Sequence, residues 1–141
     1  MNTRREFLKK TCAVCAVLAT AGVSSLLESC APLTVVNAKA GNDVLKVPLS
    51  RFGDKNQILV RSLALEFDIL LIRNNSNYTA LLMKCTHEDQ PLTFSGTVLN
   101  CASHGSRFDL NGNVVNPPAQ RALQKFPTEV LEENVIIHYK K

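Results

Sequence analysis

Two short pairs of cysteine and histidine constrain this chain more than any other feature. Cys85 and His87 form the first pair, and Cys101 and His104 form the second after a gap of thirteen residues. Two thiolates and two imidazoles can hold a zinc ion. They can also divide over a [2Fe-2S] cluster, with both sulfurs on one iron and both nitrogens on the other. Either centre requires the two segments to fold as neighbouring loops.

The order of the ligands favours the cluster over zinc. Zinc fingers usually combine tight pairs of like ligands, whereas each pair here is mixed. The second pair continues as Gly105-Ser106-Arg107-Phe108-Asp109, and Asn116-Pro117-Pro118-Ala119 follows a few residues later. We therefore expect a [2Fe-2S] cluster and keep a zinc-stabilised binding module as the least favoured alternative.

This pattern resembles the Rieske iron-sulfur family. In that family Cys-x-His is followed by a loop, then by Cys-x-x-His-Gly-Ser-x-Tyr/Phe-Asp and by a proline-rich loop that covers the cluster. The similarity extends over roughly residues 43 to 139. It implies an all-β fold, an antiparallel sandwich or barrel with the cluster-binding loops at one tip. It also implies that Cys85 and Cys101 hold the inner iron and that His87 and His104 hold the outer iron, which receives the electron.

The same resemblance assigns supporting roles around the cluster. Gly105 belongs to the His-Gly-Ser turn, and Ser106 matches a serine whose hydroxyl donates to a bridging sulfide. Phe108 stands where high-potential members have a tyrosine that donates to a ligand sulfur. Pro117 and Pro118 stand in the covering loop, where the first proline replaces the usual glycine.

Departures from the family pattern bear on the reduction potential. High-potential members of quinol-oxidising complexes join their ligand loops by a disulfide, but Gln90 and Ser103 occupy those places here. The phenylalanine at position 108 removes one hydrogen-bond donor, and such donors stabilise the reduced cluster. Negative charge on Glu88 and Asp89 would also disfavour adding an electron. We expect a middle or low potential for this family.

The segments outside the ligand pairs read as short strands separated by turns. They are rich in branched and aromatic residues, and Asn74-Asn75-Ser76-Asn77 and Asn111-Gly112-Asn113 are turn signals. Such regular spacing is typical of antiparallel sandwiches and barrels. Strands are expected at residues 44–48, 58–61, 67–72, 78–83, 97–100, 107–110 and 114–115, with 123–130 and 134–139 as a closing hairpin.

The amino terminus carries an export signal. Thr3-Arg4-Arg5-Glu6-Phe7-Leu8-Lys9 matches the twin-arginine pattern, and an uncharged stretch follows it. We interpret residues 1–30 as this signal with a hydrophobic helix, 31–42 as a tether and 43–141 as the Rieske domain. The twin-arginine route moves folded proteins, which suits a domain that takes up its cluster before export.

Three fates fit the signal after translocation. Leu26-Leu27-Glu28-Ser29-Cys30 resembles a lipobox, so Cys30 is a candidate for lipidation. Ala38-Lys39-Ala40 could instead serve as a cleavage site that releases a soluble periplasmic domain, or the segment could remain as an uncleaved anchor. We expect the domain at the periplasmic face of the cytoplasmic membrane, attached by lipid or by the N-terminal helix.

Charge and histidine count exclude other classes of function. Residues 41–141 carry eleven basic and ten acidic side chains, so the +4 of the whole chain belongs largely to the signal, and nucleic-acid binding is not expected. Oxygenases of this family need a further iron site with two more histidines. Of the 3 histidines only His138 remains outside the two pairs.

The sequence therefore predicts one-electron transfer at the outer face of a bacterial membrane. The expected partner is a redox protein such as a c-type cytochrome or an oxidoreductase subunit. The alternative is a Rieske subunit of a respiratory complex, of the quinol-cytochrome c or molybdenum oxidase type. In either case the chain is expected to have no substrate site of its own.

Overall fold

The structure is a computed structural model, and it describes residues 32–140. The expected signal helix, the twin-arginine motif and Cys30 lie outside the described residues. Within the described part of the chain, no helix has the length and apolar character that a membrane span requires. The compact unit that holds nearly all of these residues begins at Leu33.

The predicted all-β class is confirmed. The regular structure of the described residues consists of strands in three sheets and one short 3-10 helix, Leu49–Arg51. In chain order the strands are β1 (Thr34–Asn37), β2 (Ala40–Gly41), β3 (Val44–Pro48), β4 (Gln57–Arg61), β5 (Ile69–Asn74), β6 (Asn77–Leu82), β7 (Leu92–Phe94), β8 (Leu99–Cys101), β9 (Arg107–Phe108), β10 (Val114–Asn116), β11 (Lys125–Phe126), β12 (Thr128–Leu131) and β13 (Asn134–His138).

The first sheet contains the hairpin that leads to the first Cys/His pair. Its spatial order is β1-β4-β5-β6-β11, with β1 parallel to β4 and the other neighbours antiparallel. The β5–β6 hairpin closes where Asn74 pairs with Asn77. Asn75 in its tight turn has a φ of 56°, a left-handed conformation that asparagine tolerates. The predicted turn at residues 74–77 is confirmed.

The second sheet packs on the first to form the main core. It is fully antiparallel, in the order β12-β13-β3-β2. Its inward side chains alternate with outward ones, so that Leu45 and Val47 of β3 are buried while Lys46 is exposed. The buried members of this first core are Val36, Ala38, Leu45, Val47, Phe52, Ile58, Val60, Ile69, Leu71, Ala80, Phe126, Val135 and Ile137.

The third sheet forms a smaller layer around the two Cys/His pairs. Its order is β10-β9-β8-β7, all antiparallel. It covers the opposite face of the β5–β6 hairpin and creates a second core. The buried members of this second core are Leu70, Ile72, Leu81, Met83, Cys85, Leu92, Leu99, Cys101, Phe108, Ala119 and Leu123.

The predicted tether at residues 31–42 differs from the structure. Thr34–Asn37 forms β1 and pairs with β4, and Ala40–Gly41 forms β2 and pairs with β3. Val36 and Ala38 are buried in the first core. A parallel partner distant in sequence gives no hairpin signal, and four residues are too few for a clear alternating pattern. The folded domain therefore includes most of the segment assigned to the tether.

The predicted strand at residues 123–130 is divided in the structure. β11 pairs with β6 in the first sheet, whereas β12 pairs with β13 in the second. Pro127 lies between them and has no backbone N–H to donate, while its carbonyl oxygen accepts from the N–H of His138 at 3.0 Å. The segment thus crosses from one sheet to the other, and only its second half forms the closing hairpin.

Two neighbouring valines on β1 test whether this strand belongs to the core. Val36 is 6% exposed and Val35 is 48% exposed. We expect Val36→Ala to lower the free energy of unfolding by about 2 kcal/mol, because it removes buried methyl groups and leaves a cavity. The matched Val35→Ala change should stay within about 0.5 kcal/mol. Urea unfolding followed by circular dichroism measures both, and equal losses would contradict the placement of β1.

Candidate metal centre

The first ligand loop is a closed turn at the end of the β5–β6 hairpin. The N–H of Cys85 donates to the carbonyl of Gln90 at 2.7 Å, and the N–H of Asp89 donates back to the carbonyl of Cys85 at 3.0 Å. Asp89 takes a left-handed backbone, with a φ of 51°, and its carboxylate lies 3.0 Å from the ammonium of Lys84. These contacts fix the backbone on both sides of His87.

The second ligand loop has the same hydrogen-bond closures. The N–H of Cys101 donates to the carbonyl of Ser106 at 2.9 Å, and the N–H of Gly105 donates to the carbonyl of Cys101 at 3.0 Å. Gly105 has a φ of 78°, so it occupies the left-handed position that Asp89 occupies in the first loop. Glycine adopts this conformation without steric cost. The two loops therefore share the same backbone hydrogen bonds and the same left-handed position. The histidine follows its cysteine by two residues in the first loop and by three in the second.

The structure brings the four predicted ligand residues together and separates them by type. Cys85 is 1% exposed and Cys101 is 3% exposed, and both belong to the second core. The rings of His87 and His104 are exposed and meet edge to face, with centroids 5.1 Å apart. The sulfurs thus form an inner pair and the imidazoles an outer pair.

The environment of Cys101 favours its thiolate form. Burial raises the pKa of this thiol, but hydrogen bonds from the backbone N–H groups of Ser103 and His104 and from the Cys85 thiol hold the pKa below its usual range. A thiolate, rather than a thiol, is the form that ligates metal. Cys101 is therefore suited to bind a metal ion.

An acidic side chain lies beside the outer pair. The Glu88 carboxylate is 3.6 Å from Nδ1 of His104, and ligand-capable atoms of His87, Glu88 and His104 all lie within 4.8 Å of one another. The side chains of both Glu88 and His104 are substantially exposed. Negative charge at this position disfavours the addition of an electron nearby.

Ser106 and Phe108 lie under the ligand loops, where the resemblance expects them. Both are fully buried. The Ser106 hydroxyl oxygen accepts from the N–H of Ala119 at 3.0 Å, which leaves its proton available for another acceptor. Phe108 on β9 pairs with Leu99 and offers no donor.

The proline-containing covering segment, residues 116–121, lies against both loops. The Asn116 amide donates to the carbonyl of Gly105 at 2.9 Å, and the peptide between Pro117 and Pro118 is cis. At the other end, the Thr86 hydroxyl donates to the carbonyl of Arg121 at 2.6 Å, and the Arg121 guanidinium donates to the carbonyl of Thr86 at 3.3 Å. The segment therefore reaches from the second loop to the first.

Thr86 and Arg121 were not identified from the sequence as contributors to this site, and Asp109 was identified only as part of the motif, without its role. Thr86 and Arg121 are 35 positions apart, and no local pattern links them. Asp109 closes the turn after β9, because its carboxylate accepts from the N–H groups of Asn111 and Asn113 at 2.8 Å each. Burial raises the pKa of Asp109, but these hydrogen bonds hold it below its usual range. The turn signal at residues 111–113 could have identified Asp109 as the capping residue.

The donor set fits a binuclear iron-sulfur cluster. Two thiols on the inner side and two imidazoles on the outer side match the division of ligands between two irons. The Rieske [2Fe-2S] domain family model matches residues 46–127, which is more than half of the chain. The chain belongs to the Rieske [2Fe-2S] family. Its cofactor is accordingly a [2Fe-2S] cluster, as predicted.

Solved Rieske structures share this fold. The cyanobacterial plasma membrane Rieske protein PetC3 from Synechocystis PCC 6803 is 20% identical, with a TM-score of 0.53 over 64% of this chain and 93% of that chain. A chain from the complex of reduced oxygenase and oxidized ferredoxin in carbazole 1,9a-dioxygenase is 24% identical, with a TM-score of 0.54 over 72% and 97%. A chain of a hyperthermophilic respiratory Complex III is 16% identical, with a TM-score of 0.52 over 91% of each chain. No curated protein sequence matches the chain.

Proposed function

We propose that this Rieske domain transfers single electrons through a cluster held by Cys85 and Cys101 on one iron and by His87 and His104 on the other. The observation that carries the proposal is the separation of the donors into a buried sulfur pair and an exposed pair of rings. A mononuclear zinc site needs no such separation, because its four ligands surround one ion. Two irons with different ligands do need it.

The cluster supplies the ability to take up and release one electron. The chain contributes protection of the sulfurs from water and access of a partner to the histidine rings. Burial of Cys85 and Cys101 keeps the sulfurs away from water, whereas the exposed rings of His87 and His104 offer an edge to a partner. The Ser106 hydroxyl is suited to stabilise added negative charge on the inner side.

The reaction partner is a second redox protein. The remaining histidine, His138, lies on β13 with its Nε2 3.0 Å from the Glu129 carboxylate of β12, so it is engaged in the second sheet. We propose no substrate site for the chain itself. A c-type cytochrome or an oxidoreductase subunit would exchange electrons at the exposed histidine edges.

A second candidate is a subunit of a respiratory oxidoreductase, of the quinol-cytochrome c or molybdenum oxidase type. The similarity to a chain of respiratory Complex III over 91% of both chains supports it. The lack of cysteine at positions 90 and 103 and the absence of a hydroxyl on residue 108 argue against the quinol type. Co-purification of a cytochrome or molybdenum subunit in mild detergent would favour this candidate, and isolation of the chain alone would favour the separate carrier.

We propose that the domain is exported by the twin-arginine route and stays attached to the outer face of the cytoplasmic membrane. Cleavage after Ala40 would remove β1 and with it the buried Val36 and Ala38. Retention through a lipidated Cys30 or an uncleaved anchor keeps this strand. The intact mass of the membrane-extracted protein tests this, with a chain beginning at or before Cys30 as the expected result. An unmodified chain beginning at Gly41 would contradict it.

The ligand assignment predicts a sharp difference among the three histidines. We expect His87→Ala and His104→Ala to abolish the Rieske electron paramagnetic resonance signal, because each removes a ligand of the outer iron. His138→Ala is the matched control and should retain the signal at full intensity. The wild-type protein should be red-brown with two irons per chain. A colourless protein with one zinc per chain would refute the proposal.

The hydrogen-bond donors near the cluster predict its reduction potential. We expect a wild-type midpoint well below the top of the Rieske range, which is about +300 mV. Ser106→Ala should lower the midpoint by roughly 60 mV and Phe108→Tyr should raise it by a similar amount, because each changes one hydrogen bond of about 1.4 kcal/mol. A redox titration followed by electron paramagnetic resonance measures the midpoints of the wild type and both variants. A wild-type midpoint near the top of the range would contradict this account.

A further inference from the structure

The two ligand loops are joined at their bases by strand pairing and have no disulfide between their tips. The first loop runs from β6 of the first sheet to β7 of the third, the second lies between β8 and β9, and Leu92 of β7 pairs with Cys101 of β8. Gln90 and Ser103 occupy the places of disulfide cysteines, and the amide of Gln90 donates within its own loop to the carbonyl of Glu88 at 3.2 Å. The direct contacts described between the loop tips, His87 with His104 and Glu88 with His104, involve the proposed ligands themselves.

The covering segment, residues 116–121, is attached to the second loop by two hydrogen bonds. One runs from the Asn116 amide to the carbonyl of Gly105, and the other from the N–H of Ala119 to the hydroxyl of Ser106. Ala119 is also buried in the second core. This end of the segment therefore moves with the second ligand loop.

The other end of the covering segment is attached to the first loop by a reciprocal pair. Thr86 donates its hydroxyl to the carbonyl of Arg121, and Arg121 returns a guanidinium hydrogen bond to the carbonyl of Thr86. Thr86 lies directly between Cys85 and His87. Fixing its backbone and side chain together fixes the direction in which both neighbouring side chains leave the loop.

We infer that the Thr86–Arg121 pair is a non-covalent clamp that fixes the tips of the two ligand loops where a disulfide is lacking, in addition to the β7–β8 pairing at their bases. Arg121 acts as a positioning residue: it holds the first loop through Thr86, while the covering segment holds the second. The inference rests on the proposed ligand set. Arg121 is exposed, so its removal leaves no cavity in either core, and its effect can be measured without unfolding the domain.

The test measures the rate at which the purified full chain loses its cluster in the presence of an iron chelator. The visible absorbance of the cluster reports the loss, and the rates of wild type and variants are compared. We expect Thr86→Val and Arg121→Ala each to accelerate the loss up to roughly tenfold, because each removes one of the two hydrogen bonds and leaves the other acceptor in place. The double variant removes both hydrogen bonds and should lose the cluster at least as fast as either single variant. Thr86→Ser keeps the hydroxyl and should restore the wild-type rate.

A positional readout separates the clamp from general destabilisation. Both variants should shift or broaden the Rieske resonance signal, because the orientation of the ligand loop changes. Arg107→Ala is the matched control, since it removes an exposed arginine beside the second loop. It should leave the rate of loss and the signal unchanged. Wild-type behaviour of Thr86→Val and Arg121→Ala, an equal effect of Arg107→Ala, or a double variant that loses the cluster more slowly than the single variants would each overturn the clamp.

The failure of the clamp can be distinguished from the failure of the proposed function. A wild-type chain without the Rieske signal refutes the ligand assignment. The clamp is then tested by hydrogen exchange of the backbone N–H groups of the non-proline residues within 116–121, measured in the protein as isolated. Exchange should be faster in Thr86→Val than in wild type whatever metal is bound, and equal exchange would overturn the clamp on its own.

Discussion

The burial of β5 on both of its faces is the constraint on which the rest of the structure depends. Ile69 and Leu71 face the first core, between the first and second sheets, whereas Leu70 and Ile72 face the second core, under the ligand loops. A strand in this position must be apolar throughout, unlike a strand with one solvated face. Because β5 is shared, the small third sheet cannot shift without disturbing the main sandwich. The first ligand loop, which follows its hairpin partner β6, therefore has a fixed starting point.

On this base, two loops with equivalent backbone hydrogen bonds form a site with a buried side and an exposed side. Each cysteine begins a turn that is closed by hydrogen bonds from both ends of the loop. The cysteine side chains point into the second core, and the histidines project from the loop tips into solvent. One end of the domain thus offers the buried sulfurs and the accessible ring nitrogens that we propose as ligands. Such an arrangement is suited to carry an electron between a protected centre and an exposed edge.

The site relies on hydrogen bonds between its loops, whereas high-potential members of the family join the ligand loops by a disulfide. Asp109 closes the turn between β9 and β10, and the Thr86–Arg121 pair joins the covering segment to the first ligand loop. Hydrogen bonds at exposed positions are individually weak, and a network of them can open locally without global unfolding. Ser106 is different, because its hydroxyl is fully buried and also anchors Ala119. Ser106 thereby fixes the position of the covering segment, and it is also the residue that we propose as a donor to the cluster.

The sequence by itself determined the features that are encoded locally. The mixed Cys/His pairs, the His-Gly-Ser turn and the asparagine-rich hairpin at residues 74–77 are short patterns, and they sufficed for the family, the cofactor and the all-β class. Tertiary structure alone decided that residues 34–37 join β4 as a parallel strand, that Pro127 separates strands of two sheets, and that Thr86 meets Arg121. These features depend on contacts between distant segments, which form only where both partners bury apolar surface or satisfy polar groups together. A local pattern specifies a turn or a strand, but the choice of its neighbour is made by packing.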